Sequence, residues 1–375
     1  MQTFSLLVKP ASADCNLRCA YCFYLDRAAL YPDTPCHRMG DDVLERLVSS
    51  YLATPQPQYA FGWQGGEPTL MGVDFFRRVT DLQKMHGQPR AVVANGLQTN
   101  ATLLTDELAE HLAQYRFLVG VSLDGPAPVH DLQRTTADGR PTHAAVHKGI
   151  QCLRRHKVEF NILTLVNAAN VGRGREVYRY LRDSGFLYHQ YIPCVEFDAA
   201  GNPAPYAISG EQWGQFLCDV FDEWIPRDTR RVSIRLFDSI LAWLVDGTHN
   251  VCHMATDCCQ YLLVEHNGDV YPCDFFVTPE LRLGNIMEHS WGELLNAPAY
   301  REFGRRKAQW NQRCATCRHL GLCAGDCLKH RFYAGHPPAT LSWLCPGWTR
   351  FYDHTLKRFR ALAHEVRKER VAPRG

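Results

Sequence analysis

The sequence lacks a long apolar run, a strong charge of either sign, an internal repeat and a low-complexity tract, and each absence removes a class of protein. No stretch approaches the roughly eighteen consecutive apolar residues a membrane helix needs. The opening "MQTFSLLVKPASADC" holds an apolar stretch of only five residues, too short for a signal-peptide core. Both absences point to a cytoplasmic protein with no membrane partner. The formal net charge is only +2, so there is no electrostatic reason to expect nucleic acid. The one notable basic run, "KRFRALAHEVRKERVAPRG", reads as a solvated helix face and tail with no assigned function.

Cysteine is what the chain has in excess, with sixteen in 375 residues. In a reducing compartment such a number argues against a disulfide framework and for metal or redox use. A composition of 46% hydrophobic and 21% charged residues belongs to a folded protein with a large core and more than one ordinary domain.

Along the first 200 residues, short β-type runs alternate with amphipathic helices. "SLLVKP" (5–10), "YAFGWQGGEP" (59–68), "AVVANGLQTN" (91–100), "FLVGVSLDGP" (117–126), "VEFNILTLVN" (158–167) and "FLYHQYIPC" (186–194) read as buried strands. Val43, Leu44, Leu47, Val48, Tyr51 and Leu52 recur at helical spacing, as do Phe75, Phe76, Val79 and Leu82, and then Val146, Ile150 and Leu153. Six β/α units in order imply a parallel sheet with helices outside, doubly wound or an incomplete barrel. Chemistry in such sheets gathers at the carboxyl ends of strands. The unusual residues sit there: a cysteine triplet after the first strand, "QGGEP" after the second, "QTN" after the third and "SLDG" after the fourth. From about residue 196 the pattern changes, with a Gly/Pro-rich connector at 198–210, helix-like segments near 211–225 and 234–245, and then nine cysteines between 251 and 345 with little helical periodicity.

Cys15, Cys19 and Cys22 are spaced C-x3-C-x2-C, one thiolate short of the four that normally close a zinc or iron–sulfur centre. A four-iron cluster on three thiolates leaves one iron open, where a substrate or cofactor can coordinate. For the triplet alone, a zinc site completed by a distant His or Cys is the alternative. The stretch "KPASADCNLRCAYCFY", with "WQGGEPTL", "LQTNAT", "LVGVSLDGP" and "VEFNIL", resembles the radical S-adenosylmethionine superfamily and, within it, the anaerobic sulfatase-maturating enzymes. The resemblance runs from residue 5 to about 350. It implies a partial (β/α)6 radical SAM barrel followed by a cysteine-rich SPASM-type domain with two auxiliary iron–sulfur clusters. It implies that Cys15, Cys19 and Cys22 hold the cluster whose open iron chelates S-adenosyl-L-methionine, which an electron from the cluster cleaves to methionine and a 5′-deoxyadenosyl radical. Tyr21, Gly66, Ser122, Arg134 and Val195 stand at the family's cofactor-binding positions; the family has leucine where Val195 stands. Gly65 and Gly66 let the backbone approach a ligand closely, and Arg134 can pair with a carboxylate.

The second set, Cys258-x9-Gly268-x4-Cys273, Cys314-x2-Cys317-x5-Cys323-x3-Cys327 and Cys345, is similar to the seven-cysteine SPASM pattern, with Cys252 as an eighth thiolate. Taken alone, the block suits zinc as well as iron–sulfur. The resemblance implies that Cys252, Cys258, Cys273 and Cys327 hold one 4Fe-4S cluster and Cys314, Cys317, Cys323 and Cys345 another, three clusters in all. Five cysteines stand outside: Cys36, Cys152, Cys194, Cys218 and Cys259. Cys152 and Cys218 read as core filler, and spacing leaves the choice between Cys258 and Cys259 open.

Asp274, directly after Cys273, matches the family's proton acceptor. The implied reaction takes hydrogen from Cβ of a peptidyl cysteine or serine, passes a second electron to a nearby cluster and the thiol or hydroxyl proton to Asp274, and ends at Cα-formylglycine. Phe23, Tyr24, Phe275 and Phe276 are candidates for walling the site against water. The implied partners are an unfolded sulfatase segment of Cys/Ser-x-Pro-x-Arg type and an electron donor such as flavodoxin or ferredoxin. The alternatives are a SPASM-type maturase that crosslinks a small precursor peptide and a non-catalytic zinc module. Asp274, and a first strand that begins almost at residue 5 with no added segment resembling a precursor-peptide clamp, favour the sulfatase reading. The expected division is 1–196 for the barrel, 197–250 for a helical connector, 251–346 for the auxiliary-cluster domain and 347–375 for a C-terminal helix and tail.

Overall fold

The six apolar runs fold as the strands their composition implies, because β-branched and aromatic side chains suit a pleated, buried surface. The computed structural model describes residues 3–198, 200–331 and 336–371. Its strands are β1 Ser5–Lys9, β2 Gln58–Trp63, β3 Val92–Thr99, β4 Leu118–Ser122, β5 Phe160–Val166, β6 Tyr188–Pro193, β7 Ser233–Ile234, β8 Tyr261–Glu265, β9 Asp269–Tyr271 and β10 Gly284–Asn285. The described residues form two compact units that interleave in sequence. The first gathers the chain up to Leu123, His130–Asn161 and Cys259–Gly304; the second gathers Asp124–Val129, Ile162–Cys258 and the chain from Arg305 onward.

In the first unit the strands lie in the order β10-β9-β8-β1-β2-β3-β4. β1 to β4 are parallel neighbours in sequence order, as β/α connectivity requires. Val8, fully buried, faces Trp63 of β2 on one side and Val264 of β8 on the other. The helix Asp41–Leu52 buries all six of the residues picked out by their spacing, and begins with two acidic residues that complement its N-terminal dipole. The helix Asp106–Gln114 is capped by Thr105, whose hydroxyl accepts from Leu108 N at 3.2 Å.

β8, β9 and β10 do not show as periodicity in the cysteine-rich stretch. β8 pairs parallel with β1 from Ser5↔Tyr261 to Lys9↔Glu265. β9 folds back antiparallel on β8, and so carries Cys273 and Asp274 into the unit that holds the triplet.

In the second unit β5, β6 and β7 pair in parallel. The helices Gly210–Trp224, Arg235–Asp246 and Cys345–Val371 enclose an aromatic core, with Phe221–Phe359 and Phe237–Phe351 centroids 4.9 and 5.7 Å apart. Ser209 and Gln212 close a capping box at the first of these helices. A Cβ on Gly347 would lie 2.0 Å from Gly210 O, so only glycine permits this crossing, which fixes where Cys345 starts the last helix. Residues 372–375 of the expected tail lie outside the described residues. No described helix is long and apolar enough to cross a membrane.

Candidate active site

The loop after β1 turns at once, with Ser12 N donating to Lys9 O at 3.1 Å and Asp14 N to Ala11 O at 2.9 Å. The segment after β2 is clamped onto this loop: Gly66 N donates to Ser12 O at 2.7 Å and Glu67 N to Asp14 O at 2.8 Å. Gly65 has φ +143°, and a Cβ on Gly66 would sit 1.9 Å from Asp14 O. These glycines make a close approach within the chain, to the backbone that leads into Cys15.

Glu67, fully buried, ties the strand ends together. Its Oε1 accepts from Thr69 N (3.0 Å), the Thr69 hydroxyl (2.6 Å) and the Thr99 hydroxyl (2.7 Å), and its Oε2 accepts from Asn100 N at 2.7 Å. Burial raises the carboxyl pKa against those donors. Asn100 in turn donates its amide to Asn16 Oδ1 at 2.9 Å and to Cys15 Sγ at 3.7 Å, and Leu17 N donates to the same sulfur at 3.3 Å. Both contacts suit a thiolate acceptor. Burial nonetheless pushes the Cys15 thiol up to about 12, with Glu67, Cys19 and Cys22 adding to the shift. A sulfur-binding cation is what lets a thiol such as Cys15 be ionised near neutral pH, so it and the two thiols beside it are a donor set that fits an iron–sulfur group.

The chain through the triplet pairs with the segment after β4, Arg18 N to Thr135 O at 2.8 Å and Ala20 N to Gln133 O at 2.9 Å. This brings two expected cofactor residues together: the buried Arg134 donates to the Tyr21 hydroxyl at 2.8 Å. The Arg134 carbonyl accepts from Thr142 Oγ1 at 2.6 Å, which fixes its backbone. Ser122, ending β4, accepts from Gln98 Nε2 of β3 at 3.2 Å. Val195, buried just after β6, belongs to the second unit.

Asp274 lies in a polar nest. The Tyr261 hydroxyl donates to Oδ1 at 3.0 Å and Gln64 Nε2 to Oδ2 at 3.3 Å, while the same Tyr261 oxygen is 3.2 Å from Cys273 Sγ. Lys9, the last residue of β1, is buried with its Nζ 4.2 Å from the centre of the Tyr24 ring. Burial lowers its pKa, and attraction to Asp274, Glu265, Cys22 and Cys273 opposes that fall. The Tyr24 hydroxyl donates to the buried Glu265 carboxylate. The Phe23 and Phe275 rings pack at 4.9 Å, and Tyr24 joins Leu263, Tyr271 and Val277 in one apolar cluster. Phe276 packs instead on Phe303, at 5.2 Å. Lys9, Gln64, Glu67, Asn100 and Glu265 were not named from sequence, although "QGGEP" and "QTN" marked the strand ends that carry Gln64, Glu67 and Asn100.

Of the eight expected auxiliary ligands, Cys273 belongs to the first unit and the other seven to the second. Those seven fall into two neighbourhoods. Cys327 is half-buried, its thiol pushed up by desolvation and by Cys252, Asp326 and Cys258; Cys258 is pushed up to about 11 by desolvation first, with Lys307 opposing and Cys252 adding. Cys314, Cys317, Cys323 and Cys345 line one cavity of about 100 Å³. Four thiols around one cavity, and three crowded beside buried cations, are donor sets that fit anionic iron–sulfur groups. Lys307 and Arg331 are those cations, both almost wholly buried. Cys259, in the first unit, donates to Tyr300 O at 3.4 Å. Cys194 and Cys218 are buried as apolar filler would be, and Cys152, also buried, has its thiol 3.5 Å from Asp106 Oδ1.

Two sequence profiles match the chain: the radical SAM superfamily over residues 10–181, and SPASM, an iron–sulfur cluster-binding domain, over residues 245–318. The serine-type anaerobic sulfatase-maturating enzyme of Bacteroides thetaiotaomicron is 37% identical over 369 residues, which is 93% of this chain and 88% of that one. The cysteine-type anaerobic sulfatase-maturating enzyme of Clostridium perfringens is 34% identical over 371 residues, 98% of this chain and 100% of the other. A solved structure described as native anSMEcpe with bound AdoMet and Kp18Cys peptide superposes with a TM-score of 0.90 at 34% identity, covering 96% of this chain and 99% of that one.

Proposed function

Because the chain belongs to the anaerobic sulfatase-maturating enzymes, a SPASM-bearing family of the radical S-adenosylmethionine superfamily, we propose that it converts a cysteine or serine of an unfolded sulfatase segment, of Cys/Ser-x-Pro-x-Arg type, to Cα-formylglycine. It is a radical SAM oxidoreductase with a partial β/α barrel, and it uses S-adenosyl-L-methionine and iron–sulfur clusters. The finer assignments are ours. Cys15, Cys19 and Cys22 hold the open cluster. Cys252, Cys258, Cys273 and Cys327 hold one auxiliary cluster, and Cys314, Cys317, Cys323 and Cys345 the other. The grouping of the seven second-unit thiols supports this division, and the bond from Cys259 to Tyr300 O favours Cys258 as the ligand. The linear domain division given above, a cytoplasmic setting and a flavodoxin- or ferredoxin-type electron donor complete the reading.

The observation that carries the proposal is the nest around Asp274, beside Cys273 and in the same unit as the triplet. When bound, the cofactor and the clusters supply the one-electron chemistry that removes a hydrogen atom from Cβ of the substrate and accepts one further electron. The chain's own residues do the rest. Asp274 takes the S–H or O–H proton as general base, completing the two-electron oxidation to a thioaldehyde or aldehyde. Water converts the thioaldehyde to the aldehyde with release of hydrogen sulfide. Tyr261 and Gln64 orient the carboxylate by donating to its two oxygens. Lys9, buried in the same unit, is drawn to the carboxylate when protonated, and the Phe23–Phe275 contact sets an apolar wall that limits water. Near the triplet, Arg134 and Tyr21 would hold the cofactor, a guanidinium and a hydroxyl being suited to pair with a carboxylate. A crosslinking maturase has no comparable support, since relatives at 34–37% identity over nearly the whole chain are sulfatase-maturating enzymes.

Anaerobic incubation with S-adenosylmethionine, a reductant and Cys-x-Pro-x-Arg and Ser-x-Pro-x-Arg peptides, followed by mass spectrometry, tests the proposal. The expected product is the peptide aldehyde, trapped by a hydrazine reagent. Cofactor cleavage with both peptides unchanged would refute the assignment of substrate.

A further inference from the structure

Lys307 follows the helix Pro298–Arg306, and its ammonium is buried among backbone carbonyls. Nζ donates to His253 O at 3.0 Å, Ala324 O at 2.8 Å and Asp326 O at 2.5 Å. Three carbonyl acceptors require three N–H donors, and only the protonated amine has three. Each of the accepting residues is the chain neighbour of a cysteine already assigned to a cluster: His253 follows Cys252, Ala324 follows Cys323, and Asp326 precedes Cys327. One side chain thus joins the segments of both auxiliary ligand sets.

The charge around it does not balance. Arg331 is also buried and, among the described residues, donates only to carbonyls, those of Lys307 (2.8 Å), Asp326 (3.0 Å), Gln309 (3.2 Å) and Pro338 (3.3 Å). The buried carboxylate nearby, Asp326, is taken up by His330 at 2.8 Å and Ser342 at 2.6 Å. Among the described residues no carboxylate oxygen pairs with Nζ of Lys307. Two buried cations that share one carboxylate, itself hydrogen-bonded elsewhere, are costly. The anions that favour the charge of Lys307 are Asp326 first, already held by His330 and Ser342, and then the thiols of Cys258 and Cys327.

We propose that Lys307 is the shared counter-charge and anchor of the two auxiliary clusters, fixing the segments of Cys252, Cys323 and Cys327 and raising the clusters' reduction potentials so that they accept the substrate's electron. The inference rests on the ligand assignment made under the proposed function. A cluster with four thiolates is anionic in both of its working states and gains one more negative charge on reduction, so a fixed cation nearby stabilises the reduced form. Removing that charge is expected to weaken electron uptake on the order of tenfold, which is about 59 mV for a one-electron couple.

The test uses the full-length, reconstituted protein with Cys15, Cys19 and Cys22 replaced by alanine, so that only the auxiliary clusters give a signal. Iron content and redox titration followed by electron paramagnetic resonance are compared for Lys307, Lys307→Met and Lys307→Arg. Fewer than about eight irons in the Lys307 protein would overturn the ligand assignment itself. Given two clusters there, the inference expects Lys307→Met to move the midpoint to lower potential, or to lose iron, while Lys307→Arg keeps both iron and midpoint close to the parent. A midpoint and iron content unchanged in Lys307→Met would overturn it. Equal changes in the two variants, one of which keeps the charge, would overturn it as well.

Discussion

Replacing Asp274 by asparagine separates proton transfer from everything else the site does. The carboxylate accepts from Tyr261 at 3.0 Å and from Gln64 at 3.3 Å. Asparagine keeps one acceptor oxygen and puts an NH₂ group in place of the other. Oδ1 can still take the Tyr261 hydroxyl, and Gln64 can turn its amide end over to face the new donor with its oxygen. The structural loss is at most about one hydrogen bond, about 1 kcal/mol. Loss of a positioned general base costs about 10²–10⁴ in rate, or about 3–5 kcal/mol in the barrier. The catalytic effect therefore outweighs the structural one, and the two are read by different measurements. Iron content, cofactor cleavage and melting temperature should stay near the parent's, while aldehyde formation in anaerobic single turnovers falls at least about a hundredfold. The deficit should be greater for a serine peptide, because a hydroxyl is a far weaker acid than a thiol of pKa about 8.5 and depends more on the base. Near-normal aldehyde formation from both peptides would refute the role given to Asp274.

Replacing Cys15, Cys19 and Cys22 together by alanine should remove about four of about twelve irons and all 5′-deoxyadenosine production, the ligand sets being separate; residual cofactor cleavage would contradict the assignment of the triplet. Gly66→Ala places a methyl group 1.9 Å from Asp14 O, so the loop bearing Cys15 must shift, and calorimetric affinity for S-adenosylmethionine should drop at least tenfold; unchanged binding would show that the clamp does not set the cofactor site. His189 is buried, accepts from the Tyr191 hydroxyl at 3.1 Å and donates to Phe186 O at 2.9 Å, and burial holds its pKa at about 4. Since the unfolded value is about 6.5, its neutral form stabilises the fold above that pH, and the stabilisation is lost as pH falls from about 6.5 towards 4, at most about 3 kcal/mol. Denaturant unfolding at pH 7 and pH 5 should show this slope in the parent and a shallower one in His189→Gln; equal slopes would contradict it.

The parallel strands from β1 to β6 were legible because each is a short run rich in β-branched, aromatic and other apolar residues bounded by polar or glycine residues, and the helix Asp41–Leu52 because all six of its inward residues keep helical spacing. β8 and β9 were not. Each is short, and the turn between them, with Gly268 at φ +88°, sits among cysteines whose metal-site spacing dominates the pattern. The pairing of β8 with β1, on which β9 folds back, is a long-range event that periodicity does not encode, yet it is what brings Asp274 to Gln64. The same limit hid Lys9 and Glu265, which read as an ordinary strand-end lysine and strand glutamate until register set them opposite one another. Lys307 sat in "GRRKAQW", indistinguishable there from solvated basic residues; its burial follows from the fold of the second unit.

The most direct measurement follows one hydrogen. A Cys-x-Pro-x-Arg peptide deuterated at Cβ of its cysteine is turned over anaerobically with unlabelled S-adenosylmethionine, and the 5′-deoxyadenosine is isolated and weighed by mass spectrometry. If this chain oxidises the target side chain by hydrogen abstraction, each aldehyde formed leaves one deuterium in the 5′-deoxyadenosine and one at the aldehyde carbon. Aldehyde formed alongside unlabelled 5′-deoxyadenosine would contradict the account.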